Sequence, residues 1–264
     1  MTPVAIITGA SAGIGAELAR VFARHGHALV LVARREPQLK ALAAEIAASG
    51  ETMPLVLPID LGRPDAAARI SEALAANGLE AQYVVNNAGF GLVGDSADRK
   101  RDDLLEMIDL NMRALTELSL AFVDSLARHR GGILNVASVA GFLPGPGSAV
   151  YYASKAYVLS FSEALHHELR PRGVRVTTLC PGPVLTEFHL RAGFESRKTP
   201  LLDVSALRVA EQGYRGLMRG KRLVIPGFVN KLITLLPRVM PRDLMLSLIV
   251  RRQRARMPGP AQRT

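Results

Sequence analysis

The chain has one cysteine, Cys180, and no tryptophan among its 264 residues. A lone thiol excludes an intramolecular disulfide and a cysteine-built metal site, and it suits a reducing compartment. Aromatic residues make up only 5% of the sequence, too few to interleave with the arginines as stacking platforms for nucleic acid. No run approaches the roughly 18 uninterrupted apolar residues of a spanning helix. The opening residues, MTPVAIITGA, lack the basic start, apolar middle and small-residue cleavage site of a secretory signal and read as a strand. These absences lead to the expectation of a soluble, cytoplasmic protein.

Negative charge is also scarce, with 23 Asp and Glu against 33 Lys and Arg for a net charge of +10. Such a balance allows an anionic partner, yet by itself it bears on solubility and non-specific attraction. Arg251, Arg252, Arg254, Arg256 and Arg263 place part of it in the C-terminal tail, where a solvated or frayed end is the plain reading. His166 and His167 have no partner at metal-ligand spacing, so no metal site is expected. What is plentiful is apolar residue, 48% of the chain. A length of 264 residues fits one α/β domain with a large core, since such folds often run undivided to about 250 residues.

Short β-rich runs alternate with helical spacing. The strand candidates are Val4 to Thr8, Ala28 to Ala33, Met53 to Leu57, Tyr83 to Asn86, Ile133 to Ala137, Arg175 to Cys180 and Leu223 to Ile225. Gly13 to His25, Pro37 to Ser49, Pro64 to Ala76, Asp103 to Arg128, Tyr151 to Arg170 and Ser205 to Met218 read as helices. Seven strands joined by such crossovers predict a doubly wound, Rossmann-type parallel sheet with helices on both faces, spanning 1–264 as one domain. Ligands of such sheets sit beyond the carboxyl ends of the strands.

The first strand runs into TGASAGIG, Thr8 to Gly15. Gly9 permits a tight turn, Gly13 and Gly15 clear space for a pyrophosphate, and the helix that follows offers free N–H groups. The second strand ends in Arg34 and Arg35, where a carboxylate would bind the ribose 2′-hydroxyl of NAD; forked, permanently charged guanidinium groups suit a 2′-phosphate and predict NADP(H). Exposed arginines neutralised by Glu36 are the alternative. Ser138 follows the fifth strand, while Tyr151 begins a helix and Lys155 lies one turn further on, so the three can face one crevice.

T-G-x-x-x-G-x-G at Thr8 to Gly15, N-N-A-G at Asn86 to Gly89, a serine thirteen residues before a tyrosine, Y-x-x-x-K at Tyr151 to Lys155 and P-G at Pro181 to Gly182 together resemble the short-chain dehydrogenase/reductase family. The resemblance implies a proton relay of Asn111, Ser138, Tyr151 and Lys155. In it Ser138 bonds a carbonyl oxygen, Tyr151 gives or takes the proton, Lys155 lowers the tyrosine pKa and bonds the ribose, and Asn111 holds a water. It implies cofactor contacts at Gly9, Ser11, Gly13, Ile14, Gly15, Asp60, Leu61, Asn87, Ala88, Gly89, Pro181, Gly182, Val184 and Thr186. Asp60 would meet the adenine amino group and Leu61 pack beside it, and homodimers or homotetramers would form partly through the fourth and fifth helices. Tyr152, turned about 100° from Tyr151, is expected to pack, and Cys180 to be a buried apolar residue.

Residues 186–204 are expected to close over substrate. Phe188, Leu190, Phe194, Leu201 and Leu202 with Phe90, Phe142 and Leu143 offer an apolar pocket for a hydrophobic carbonyl or alcohol, although core packing would explain each one as well. The 228–264 extension has an apolar side, Leu232, Leu235, Leu236, Leu244, Leu248 and Ile249, beside arginines. Packing of that side on its own domain or on another subunit is favoured over peripheral membrane contact, and nucleic acid is not expected. A rival to an enzyme is an NADPH-binding redox sensor, which needs the phosphate cradle but not Ser138, Tyr151 and Lys155 together.

Overall fold

A computed structural model describes residues 1–184 and 204–254. The strands are β1 (Thr2–Thr8), β2 (Ala28–Ala33), β3 (Leu55–Pro58), β4 (Leu79–Asn86), β5 (Gly132–Val136), β6 (Arg175–Leu179) and β7 (Leu223–Val224). They form one sheet in the order β3-β2-β1-β4-β5-β6-β7, parallel at every pairing. The helices are α1 (Gly13–Arg24), α2 (Glu36–Ala48), α3 (Ala66–Ala76), α4 (Arg101–Ile108), α5 (Leu115–Ala121), α6 (Val123–Arg128), α7 (Ala149–Leu169), α8 (Ala206–Met218), α9 (Phe228–Val239) and α10 (Arg242–Arg254).

The central strands are buried almost end to end because helices cover both faces of the sheet, as a parallel sheet requires. Successive residues point to opposite faces. Ala5, Ile7, Leu31 and Leu134 pack with Leu18, Phe22 and Leu217 on one side, and Val4, Ile6, Val32 and Ile133 pack with Ile70, Leu118 and Leu165 on the other. β4 begins four residues before the expected Tyr83. Its first half carries Glu80 and Gln82, which mask the apolar signal, but Thr2 to Val4 pair with Leu79 to Ala81 ahead of a register shift between Val4 and Ala5.

The helix expected over Asp103 to Arg128 is not uniform. It starts at Arg101, widens to a π-helical segment at Asp109–Ala114 that contains Asn111, and breaks at Phe122 before α6. π segments inside α-helices often mark functional sites. α7 is one uninterrupted helix whose buried stripe is Ser154, Lys155, Val158, Ser162, Leu165 and Leu169. That stripe follows the 3.6-residue period but is polar where it faces the strand ends.

Candidate active site

The strand order reverses between β1 and β4, and there the two glycine-bearing motifs meet. Thr8 joins them: its Oγ1 donates to the Val85 carbonyl at 3.0 Å and accepts from the backbone N–H groups of Asn87 and Ala88 at 2.9 and 3.1 Å. The Asn87 amide returns a bond to the Thr8 carbonyl at 3.0 Å. Gly9 has φ +64°, and a Cβ there would lie 2.9 Å from the Ala88 Cα; one on Gly15 would strike the Gly9 carbonyl. These two glycines are therefore required by the closeness of the β1 and β4 ends as much as by any ligand. α1 then starts without a side-chain cap and without an acidic residue in its first turn, so its first N–H groups face outward as an anion-binding end.

Arg35 donates to the Ser11 hydroxyl at 3.2 Å, and Arg34 lies 3.4 Å from Glu106 and 3.9 Å from Asp60. All three contacts are exposed, and the two ion pairs of Arg34 are of the kind worth about 0–1 kcal/mol. An incoming phosphate could displace them. Two guanidinium groups thus flank the gap between the glycine turn and Asp60, whose carboxylate also accepts from the Gly62 N–H at 3.0 Å.

Ser138 begins the short 139–142 turn after β5, its Oγ accepting from the Ala140 N–H at 3.1 Å. Its hydroxyl lies beside the Tyr151 phenol, where it favours the ionised form. Lys155 is 6% exposed. Its ammonium donates to the Val136 carbonyl at 2.9 Å and stands 6.0 Å from the centroid of the Tyr151 ring. Burial pushes Lys155 down to about 8. Burial also pushes the Tyr151 phenol up to about 12, with the Ser138 hydroxyl opposing it. The expectation that Lys155 lowers the Tyr151 pKa is thus not met by the protein's own groups, because desolvation of the phenolate outweighs what surrounds it.

The Asn111 side chain has a structural task of its own. Its Nδ2 donates to the Phe90 carbonyl at 2.9 Å and to Ser154 Oγ at 3.0 Å, while its Oδ1 accepts from the Phe90 N–H at 3.1 Å. Ser154 Oγ in turn donates to the Tyr151 carbonyl at 2.7 Å. The amide is committed to clipping the loop after β4 onto the first turn of α7.

Below this lies a buried polar row. Asn86 donates to Ser119 Oγ at 3.0 Å and to Asn135 Oδ1 at 2.8 Å, and Asn135 donates to Ser162 Oγ at 2.9 Å. The row ties α5, β4, β5 and α7 together. Asn86→Ala should cost about 1–3 kcal/mol, since it leaves buried partners unsatisfied. Chemical denaturation measures this, and an unchanged midpoint would show that the row does not hold α7.

A sequence model described as short chain dehydrogenase matches residues 3–193. The chain belongs to the short-chain dehydrogenase/reductase family. It is 39% identical over 193 residues to sulfoacetaldehyde reductase of Chromohalobacter salexigens, a match covering 72% of this chain and 76% of that one. A solved short-chain dehydrogenase from Sphingobium yanoikuyae in complex with NADPH superposes with a TM-score of 0.78 at 31% identity, covering 98% of this chain and 97% of that one. The bulky-bulky ketone specific alcohol dehydrogenase of Comamonas testosteroni superposes with a TM-score of 0.75 at 28% identity, covering 98% and 96%. The chain is accordingly an oxidoreductase of the alcohol–carbonyl type.

The remaining positions of this short-chain dehydrogenase/reductase divide cleanly. Gly89 lies against Asn111 Oδ1 and Lys155 Nζ, and the Pro181 carbonyl accepts from the Val139 N–H at 3.0 Å, which brings the P-G segment beside Ser138. Gly182 abuts Asn230 of α9, and Val184 is buried. Leu61 is not at the site surface: its side chain is 4% exposed and packs in the core with Ile70. Ile14 packs partly against the opposite core. Phe90 is buried, and Phe142 packs with Val158 and Cys180, so core packing accounts for Phe142. Thr186, Phe188, Leu190, Phe194, Leu201 and Leu202 lie outside the described residues.

Tyr152 fills the space over Gly145, where a Cβ would fall inside its ring. Cys180 is fully buried, and burial pushes its thiol up to about 12. The His166 ring bonds the Val176 carbonyl at 2.8 Å. Thr8 and Ser154 are the two site-building residues not singled out from sequence. Thr8 precedes the first motif glycine and Ser154 precedes the lysine, but their partners lie 77 and 43 residues away.

Proposed function

We propose that this protein is an NADP(H)-dependent reductase or dehydrogenase that interconverts a hydrophobic carbonyl compound and its alcohol, with Tyr151 as general acid and base. The observation that carries the reading is the Ser138 hydroxyl beside the Tyr151 phenol, with buried Lys155 one helical turn away, at the β1–β4 crevice. The glycine cradle, the uncapped start of α1 and the two guanidinium groups fit a dinucleotide carrying a 2′-phosphate, which supplies hydride when bound.

In reduction, Ser138 donates a hydrogen bond to the carbonyl oxygen and holds it against Tyr151. As negative charge develops there, the Tyr151 phenol transfers its proton, and the alcohol forms. A phenol held near 12 keeps that proton across the physiological range. Lys155 places positive charge beside the ring and is within reach of a ribose hydroxyl near Gly89. Asn111 positions α7 through Ser154. Gly9, Ser11, Gly13, Ile14, Gly15, Asp60, Asn87, Ala88, Gly89, Pro181, Gly182, Val184 and Thr186 line the cofactor, with Leu61 contributing through its backbone.

NADP(H) is supported by Arg34 and Arg35 and by the NADPH complex of the Sphingobium relative. A hydrophobic ketone is supported by the Comamonas relative, whereas the Chromohalobacter relative is named for a small sulfonated aldehyde. Measured NADPH and NADH oxidation over bulky ketones, quinones, ketoacyl thioesters and sulfoacetaldehyde separates these. Turnover of only the sulfonated aldehyde would overturn the hydrophobic assignment. Arg34→Ala with Arg35→Ala should lower the NADPH-to-NADH ratio of kcat/KM by about tenfold or more, since charged hydrogen bonds contribute about 1.5–3 kcal/mol. An unchanged ratio would remove the arginines from cofactor selection.

We read the chain as one dinucleotide-binding domain. Exposed Leu105, Ile108 and Leu120 on α4 and α5, all three within the expected fourth helix of Asp103 to Arg128, support self-association as a homodimer or homotetramer partly through that helix and partly through α7, the expected fifth.

A further inference from the structure

α9 is built inside out. Asn230 and Thr234, 1% and 7% exposed, face the protein, while Phe228 is 74% exposed and Leu232, Leu235 and Leu236 lie beside it, also in solvent. At 100° per residue these four apolar side chains fall within an arc of about 100° on the side opposite Asn230 and Thr234. A surface helix in water turns its apolar stripe inward. The Asn230 amide donates to the Pro226 carbonyl at 2.8 Å, and Thr234 donates to the Lys231 carbonyl at 2.7 Å, so both side chains donate to backbone carbonyls close by in the chain. α10 continues the pattern with Leu244 and Leu248, 53% and 48% exposed one turn apart, and with Met245 as its buried anchor. Of the two kinds of packing expected for this apolar side, on its own domain or on another subunit, the exposed leucines leave only the second.

The charge around this surface is of one sign. Between positions 226 and 264 there are eight Lys and Arg and a single acidic residue, Asp243, so most of the chain's excess positive charge sits in this last stretch. Lys231 borders the apolar arc of α9, and Arg242 and Arg251 are exposed on α10. A second copy docked face to face would set like charge against like, whereas anionic headgroups above an acyl layer match both the arginines and the leucines. With 12 and 13 residues, the two helices are too short to span, and no helix among the described residues is long and apolar enough to cross a membrane.

We propose that α9 and α10 together dock the protein in the plane of an anionic lipid surface, the exposed leucines entering the headgroup–acyl boundary and the basic residues pairing with headgroups. The docked face adjoins the site already described, because the buried side of α9 contacts Gly182.

Co-sedimentation of the full chain with phosphatidylglycerol–phosphatidylcholine vesicles and with phosphatidylcholine vesicles tests this, with light scattering to report the oligomeric state. The wild type should pellet with anionic vesicles and not with neutral ones, and high salt should release it. Leu232→Gln, Leu235→Gln and Leu236→Gln combined should weaken binding at least about tenfold. Lys231→Gln, Arg242→Gln and Arg251→Gln combined should weaken it about fivefold per charge removed. All six positions are exposed and outside the reaction site, so thermal melting and turnover should stay at wild-type values. Three results would each overturn the proposal: wild type left in the supernatant at low salt, equal binding to neutral vesicles, or a leucine variant whose only change is a smaller assembly mass. The last would identify the surface as a contact between copies.

Discussion

Tyr151→Phe is expected to lower kcat for carbonyl reduction by about 10²- to 10⁴-fold, the range for loss of a positioned general acid, while NADPH binding followed by fluorescence changes little. The phenyl ring keeps the packing at the start of α7 and removes only the hydroxyl beside Ser138. Tyr152→Phe is the control. Its ring covers Gly145, which the phenyl ring still does, so turnover should stay within about threefold of wild type. A Tyr152→Phe loss matching that of Tyr151→Phe would reverse the assignment. Full wild-type turnover in Tyr151→Phe would remove the tyrosine from the chemistry altogether.

Lys155→Met should separate stability from activity. Burial holds the Lys155 pKa at about 8, below its ordinary value of 10.5. Between those values the unfolded chain binds more protons than the folded one, so this group makes stability rise with pH across that window and leaves the protein least stable below about 8. Removing the ammonium at pH 7 should thus raise unfolding free energy by about 1–3 kcal/mol, a two-and-a-half-unit shift discounted for the lost Val136 bond. The gain should fade as pH climbs from 8 toward 10.5. Turnover should nevertheless fall about 100-fold or more. Thermal unfolding at pH 7 and pH 10 checks the first statement: lower stability of Lys155→Met at pH 7 would show that the buried ammonium is well compensated.

The same pKa values set the pH profile of reduction. Tyr151 remains protonated up to about 12, so the alkaline limb should fall near pH 8, where Lys155 loses its charge. Lys155→Arg, if active, should carry that limb upward, because a guanidinium does not deprotonate in this range. A limb that stays near pH 8 in that variant would assign it to another group.

The core of the site was legible because its spacing is local. Tyr151 and Lys155 lie in one uninterrupted helix, so four residues of separation set their distance apart from any tertiary contact. Ser138 follows a strand whose end was readable, and the glycine turn is a continuous segment. The direction of the Leu61 side chain was not legible, for the opposite reason. A leucine after Asp60 looks the same in sequence whether it lines a pocket or points beneath α3. The apolar pocket residues were ambiguous in the same way, and Phe142 proved to be packed.

The amino-acid order by itself determined the alternation of strands and helices, hence a doubly wound parallel sheet, and the placement of Ser138, Tyr151 and Lys155 at one end of it. Apolar periodicity and short-range spacing are enough for that. Only the tertiary structure decided that Asn111 spends its amide on Phe90 and Ser154, that Arg34 and Arg35 reach Asp60 and Ser11, and that Tyr151 is raised rather than lowered. It also decided that α9 turns its leucines outward. Each of these depends on which distant segments crowd a group and remove its water, and neither desolvation nor the direction a helix faces is encoded in the spacing of neighbours along the chain.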